Sequence, residues 1–185
     1  MQDSYFTYTT FAGINVKENS QAPTNLTIMM GGTSNMYVST DNIYVTFPDN
    51  TGETTQIYRV AIDGASLSFE AQGAVPGYIL NQYSMDEYNG YFRVATTLST
   101  GSWIDRNTQN NLYVLNMAMN VVGKVENLAP GEQIYSARFA GNKCYLVTFE
   151  QTDPFFMLDL SNPTAPKVAG ELKIPGYSSY LPPYD

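Results

Sequence analysis

Residues 143–176 read "KCYLVTFEQTDPFFMLDLSNPTAPKVAGELKIPG", and the spacing inside this stretch decides the fold. An apolar run, Cys144–Phe149, is followed by a polar loop and a second run, "FFMLDL" (Phe155–Leu160). A turn rich in Ser, Asn and Pro then leads to "KVAGELKIPG", which ends on Pro-Gly at Gly176. The runs are short, alternating or β-branched, and bounded by turn formers, so they read as strands rather than helices. Proline cannot donate to a ladder and glycine lets the chain reverse, so the Pro-Gly pair closes the last strand of a unit.

The same order occurs twice upstream. "NIYVTF" (Asn42–Phe47) and "YFRVATTL" (Tyr91–Leu98) stand where "CYLVTF" stands, each as the second strand of a unit. "QIYRVAID" (Gln56–Asp63) and "NLYVLNM" (Asn111–Met117) stand where "FFMLDL" does, with Tyr58, Tyr113 and Phe156 in correspondence. "LSFEAQGAVPG" and "NVVGKVENLAPG" supply the fourth strands, ending at Gly77 and Gly131, and "TIMMGG" ending at Gly32 is the same feature without its proline. Gly32, Gly77, Gly131 and Gly176 lie 45, 54 and 45 residues apart, the length of a four-stranded propeller blade with its turns. The middle excess is assigned to a loop, "STGSWIDRNTQN" (Ser99–Asn110).

The chain therefore reads as all-β, a β-propeller of about three complete antiparallel blades with partial blades at both ends. The blades are placed at 33–77, 78–131 and 132–176. Residues 1–32 are the end of a preceding blade and 177–185 the first strand of a further one. Blades bury their faces only against each other, so two sources for the missing neighbours are expected: the rest of a longer protein, or a second copy. Met1 stands directly before a strand-like run, which suggests an excised piece; a true cytosolic start is the alternative.

Composition bounds the function. Fifteen Tyr and nine Phe among 185 residues suit pleated, half-buried surfaces. Nine basic against seventeen acidic residues give a net charge of −8, without the clustered Lys and Arg that a nucleic-acid partner needs. No apolar stretch approaches the roughly 18 residues of a membrane helix, and "MQDSYFTYTT" has neither the basic start nor the apolar centre of a signal peptide. Without histidine, Ser-His-Asp and Cys-His catalysis are excluded within this chain, and with one cysteine so are the usual zinc sites. Cys144 lies in an apolar run and reads as a buried thiol.

From Pro130 to Leu181 the chain runs Pro-Gly, Tyr-Ser-x-x-Phe, Cys-Tyr-Leu-Val-Thr-Phe, Phe-Phe-Met-Leu-Asp-Leu-Ser-Asn-Pro-x-x-Pro, Gly-Glu-Leu-x-Ile-Pro-Gly-Tyr-Ser-Ser-Tyr-Leu. This order resembles secreted archaeal and bacterial proteins with a C-terminal β-propeller domain distantly related to WD40 repeats. "DLSNPTAP" (Asp159–Pro166) is also similar to a turn that follows the third strand in other extracellular propeller repeats. The resemblance implies an extracellular or cell-surface location and a domain longer than this chain, and carries no defined activity. Members commonly have a histidine after Tyr-Ser-Ser-Tyr-Leu, where this chain has Pro182-Pro183.

The candidate site residues are few. Flat rings in or beside loops and first strands, Tyr88, Tyr91, Trp103, Tyr177, Tyr180 and Tyr184, are placed to stack on sugars or anchor a protein partner. Oxygen-rich "PDNTGE" and "DRNTQNN" make Asp49, Glu53, Asp105 and Asn107 weak calcium candidates, against the simpler reading of hydrogen-bonded turns. "NLT" makes Asn25 a glycosylation acceptor. Carboxylates for a glycosidase pair would come from Asp86, Glu87, Asp105, Glu150 and Asp153, all read as solvated charge. Asp86 and Glu87, adjacent on a strand, point to opposite faces.

Three functions follow. The first is a non-catalytic extracellular or cell-surface binding or scaffold module, with a protein or glycan partner and no cofactor. The second is a structural subunit of a surface assembly or filament. The third is part of a carboxylate-dependent hydrolase.

Overall fold

A computed structural model describes residues 7–18, 20–49, 51, 53–101, 106–149 and 153–174. Fourteen strands and one turn of 3-10 helix make up the described elements, in one two-stranded and three four-stranded antiparallel sheets. The two-stranded sheet pairs β1 (Thr7–Gly13) with β2 (Thr24–Met30). The first four-stranded sheet is a meander of β3 (Asn35–Val38), β4 (Asn42–Pro48), β5 (Thr54–Asp63) and β6 (Ser66–Pro76). After the 3-10 turn Gln82–Ser84 come β7 (Met85–Tyr88), β8 (Tyr91–Gly101), β9 (Arg106–Asn116) and β10 (Val121–Leu128). The third sheet holds β11 (Gln133–Ala140), β12 (Lys143–Phe149), β13 (Asp153–Asp159) and β14 (Lys167–Ile174).

The register explains the repeat seen in the sequence. Tyr58, Tyr113 and Phe156 stand opposite Val45, Val94 and Leu146 on the second strands of their sheets. Successive side chains on those strands point to opposite faces, and both faces are covered. Tyr44 and Ile57 join Phe92, Val94 and Tyr113 between the first and second sheets, while Val45 and Val60 turn the other way, towards Phe11 and Met30. Ala95, Leu112 and Val114 pack with Leu146, Phe156 and Leu158 between the second and third sheets. The core is thus three layers between sheets, which is why apolar runs replace strict alternation on these strands. Tyr44 and Phe92 stack across one layer with centroids 4.2 Å apart and planes at 18°.

The first two four-stranded units end alike. Gly77 and Gly131 have φ of 88° and 91°, in the left-handed region that disfavours a side chain, and their N–H groups donate to the carbonyls of Glu53 and Thr108 at 2.7 and 2.8 Å. A second recurring contact joins neighbouring sheets. The turn before the last strand of one sheet lays a carbonyl on a glycine in the last strand of the sheet before it. Met119 meets Gly73 on β6, and Pro163 meets Gly123 on β10; a Cβ on either glycine would overlap that carbonyl. Gly170 on β14 has no such neighbour, and around it Val168 and Leu172 are exposed.

One segment differs from the sequence reading. Most of the expected loop Ser99–Asn110 is a hairpin: Ser99, Thr100 and Gly101 pair with Thr108, Asn107 and Arg106. Beyond the core both faces of these strands are polar, so no apolar pattern marked the extension. Trp103 and Asp105 lie outside the described residues, as do Glu150 and the expected strand 177–185 with Tyr177, Tyr180 and Tyr184.

Candidate functional site

The first strands of the three large sheets converge on one cleft. It encloses about 440 Å³ and is walled by Met36, Tyr37 and Val38 of β3, Gln82 and Tyr83 of the 3-10 turn, Met85 and Asp86 of β7, and Arg138 and Phe139 of β11. The 3-10 turn begins where Asn81 accepts a hydrogen bond from the Tyr83 N–H at 3.0 Å, and it touches both β3 and β11. β3 and β7 are only four residues long, and all three first strands stand at an edge of their sheets, where their side chains line a cavity. Met36 and Val38 are each 51 % exposed, in a protein whose second strands are buried.

Two adjacent carboxylates organise the cleft wall. Asp86 accepts from Arg93 Nε at 2.9 Å and from Arg93 Nη2, while Arg93 Nη1 donates to the Gly141 carbonyl at 2.6 Å. The guanidinium lies between the rings of Tyr88 and Phe139, 4.9 and 5.2 Å from their centroids. Burial pushes the Asp86 carboxyl above its ordinary range, with Arg93 pulling the other way. Glu87 faces the opposite interface, where Oε2 accepts from Ser39 Oγ at 2.7 Å, Tyr44 OH at 2.8 Å and Asn42 Nδ2 at 3.0 Å. Its N–H donates to the Tyr37 hydroxyl at 3.3 Å, which places that phenol at the cleft edge. Glu87 thus ties the second sheet to the first, and Asp86 with Arg93 ties it to the third. Neither is the solvated charge the sequence suggested: Asp86 is matched by Arg93 directly opposite it on the next strand of the same sheet, and Glu87 finds its side-chain partners on the neighbouring sheet. Cys144 is fully buried beside this pair, and burial raises its thiol pKa.

The other candidates are dispersed. Tyr88 and Tyr91 come together with Arg93, Asn142, Ser161 and Pro163 around a smaller hollow of about 150 Å³, where Tyr91 also packs on the core and Tyr88 caps Arg93. Asp49 Oδ1 accepts from the Thr51 N–H at 3.1 Å and Thr51 Oγ1 at 2.8 Å, the geometry of a side-chain-closed turn. Glu53 gives its carbonyl to Gly77, and Asn107 is exposed in the hairpin. No group of three or more His, Cys, Asp or Glu side chains is gathered for a metal among the described residues. Asn25 is exposed on β2, opposite Ala12. Among the described residues no helix is long and apolar enough to cross a membrane. The cleft residues Met36, Tyr37, Gln82, Tyr83, Arg138 and Phe139 escaped the sequence reading. Their shared signal is position: each lies a few residues ahead of the turn into an apolar second strand.

The described geometry can be set beside known proteins. A family model described as a beta propeller domain matches residues 1–185. An uncharacterized protein of Methanocaldococcus jannaschii is 52 % identical over 132 residues, covering 71 % of this chain and 20 % of the relative. Another, from Archaeoglobus fulgidus, is 53 % identical over 128 residues, 68 % of this chain and again 20 % of the relative. The chain therefore spans about a fifth of the length of these curated relatives.

Proposed function

The chain belongs to the beta propeller domain family, and from that premise we propose that it is a non-catalytic binding or scaffold module of an extracellular or cell-surface protein, taking its ligand in the cleft of β3, β7 and β11. The observation that carries this reading is convergence: three consecutive sheets bring aromatic rings, two methionines, an amide and a guanidinium to one concave site. In this reading residues 33–77, 78–131 and 132–176 are successive blades, and further blades come from a longer protein or a second copy. The resemblance to secreted proteins and the exposed Asn25 sequon support the location.

A hydrolase is less well supported, because Asp86 and Glu87 face different interfaces and each is held by neighbouring side chains. A subunit of a surface assembly is a second reading, favoured by the exposed apolar side chains around Gly170. Glycan and peptide arrays probed with wild type and with Met36→Arg, which fills the cleft, test the main reading. Loss of the captured ligand in the variant is expected. Capture unchanged by the variant, or substrate turnover abolished by Asp86→Asn, overturns it. Mass in solution separates the assembly reading.

A further inference from the structure

Resting on the reading of the cleft as a ligand site, we propose that Arg138 makes it selective for a carboxylate and that its ligand is an acidic sugar of the uronate type. The argument starts with charge. Asp86, the acid in the cleft wall, is matched by Arg93 through two hydrogen bonds. Glu87 is turned to the other interface and held by Ser39, Asn42 and Tyr44. Arg138 is half-buried in the same wall, and among the described residues its side chain has neither a hydrogen bond nor an ion pair. One uncompensated positive charge therefore stands in the cleft of a chain whose net charge is −8.

A field of that sign repels anions from the surface at large, so an anionic ligand is held only where a local cation faces a sheltered site. The guanidinium fork matches a carboxylate with two parallel hydrogen bonds, and partial burial strengthens them. The remaining lining suits a pyranose ring. Tyr37, Tyr83 and Phe139 offer flat faces for its C–H surface, and the Gln82 amide offers a donor and an acceptor for hydroxyls. The volume falls within the range of about 300–1,000 Å³ usual for small-molecule sites.

Calorimetry and saturation-transfer NMR with glucuronate, glucose and acetate test the proposal on the full chain. Glucuronate should bind at least about tenfold more tightly than glucose, and more tightly than acetate. Arg138→Gln should remove that preference, Arg138→Lys should restore part of it, and thermal melts report that both variants fold. A glucuronate-terminated oligosaccharide, run in parallel, distinguishes a glycan end from the free acid. Equal affinity for glucuronate and glucose, a preference that survives Arg138→Gln, or glucuronate failing to bind below about 10 mM overturns the proposal. Acetate binding as tightly as glucuronate overturns the sugar assignment. A ligand from the arrays that Met36→Arg blocks and Arg138→Gln does not would sink the uronate and leave the cleft reading standing.

Discussion

Arg93→Met should reveal how strongly the second and third sheets are tied. Arg93 is 3 % exposed, bonded to Asp86 and to the Gly141 carbonyl, and flanked by two rings. Methionine fills much of the same volume, so little packing is lost, but Asp86 loses its counter-charge. Breaking a buried pair in this way costs about 3–5 kcal/mol. The Asp86 side chain keeps 23 % of its exposure, so the lower end, about 3 kcal/mol, is expected at pH 7. The deficit should depend on pH. Burial already holds the folded-state Asp86 pKa above its ordinary value, and losing Arg93 removes the opposing pull. A carboxyl raised in the folded state contributes stability that is full below the unfolded pKa of about 3.9 and lost as pH rises through the folded value. The variant should therefore be weakest relative to wild type at neutral pH, and the gap should narrow towards pH 4. Urea unfolding at both pH values measures it. The double variant Asp86→Leu/Arg93→Met should lie within about 1 kcal/mol of wild type, because it leaves no orphaned charge. A deficit that ignores pH, or a double variant as damaged as the single, would refute the reasoning.

Gly123→Val should destabilise by about 2–3 kcal/mol, since the Pro163 carbonyl it meets is backbone and cannot swing aside, whereas Gly170→Val should change stability by less than about 0.5 kcal/mol; equal losses would show that the inter-sheet contact has no such role. Cys144, fully buried with a raised thiol pKa, should react with a thiol reagent only as fast as the protein opens, and prompt labelling of the native state at pH 8 would contradict that.

The fold was readable because its determinants are local and repeated. Second and third strands are apolar on both faces, so "NIYVTF" and "CYLVTF" stand out, and the closing Pro-Gly pairs mark where φ turns positive. The hairpin at Ser99–Asn110 reads as a loop because its residues are polar, even where they are buried as Thr108 and Asn110 are, and so carry no apolar signature. The site was far less legible. Tyr88 and Tyr91 stand out in the sequence as rings beside loops, but their contacts do not: Tyr88, still partly exposed, caps a guanidinium and Tyr91 leans on the core. Arg138 and Tyr83 looked ordinary because a cleft between first strands is made by three segments far apart in sequence. The side-chain partners of Glu87 likewise lie across an interface, on the first sheet, while Asp86 beside it pairs with Arg93 within its own sheet.

The carbonyls that rest on Gly73 and Gly123 bear on more than stability. They are backbone stops, set by atoms that no change of rotamer can move, so they act as spacers fixing how far one sheet leans from the next. Side chains in the apolar layers can then vary at the cost of cohesion alone. Of the residues facing the cleft, Asp86, Tyr37 and Phe139 also hold the sheets together, so their variation costs cohesion as well as recognition. The spacing of the sheets is in this way held partly by backbone atoms, which stay in place when the side chains packed between the sheets change.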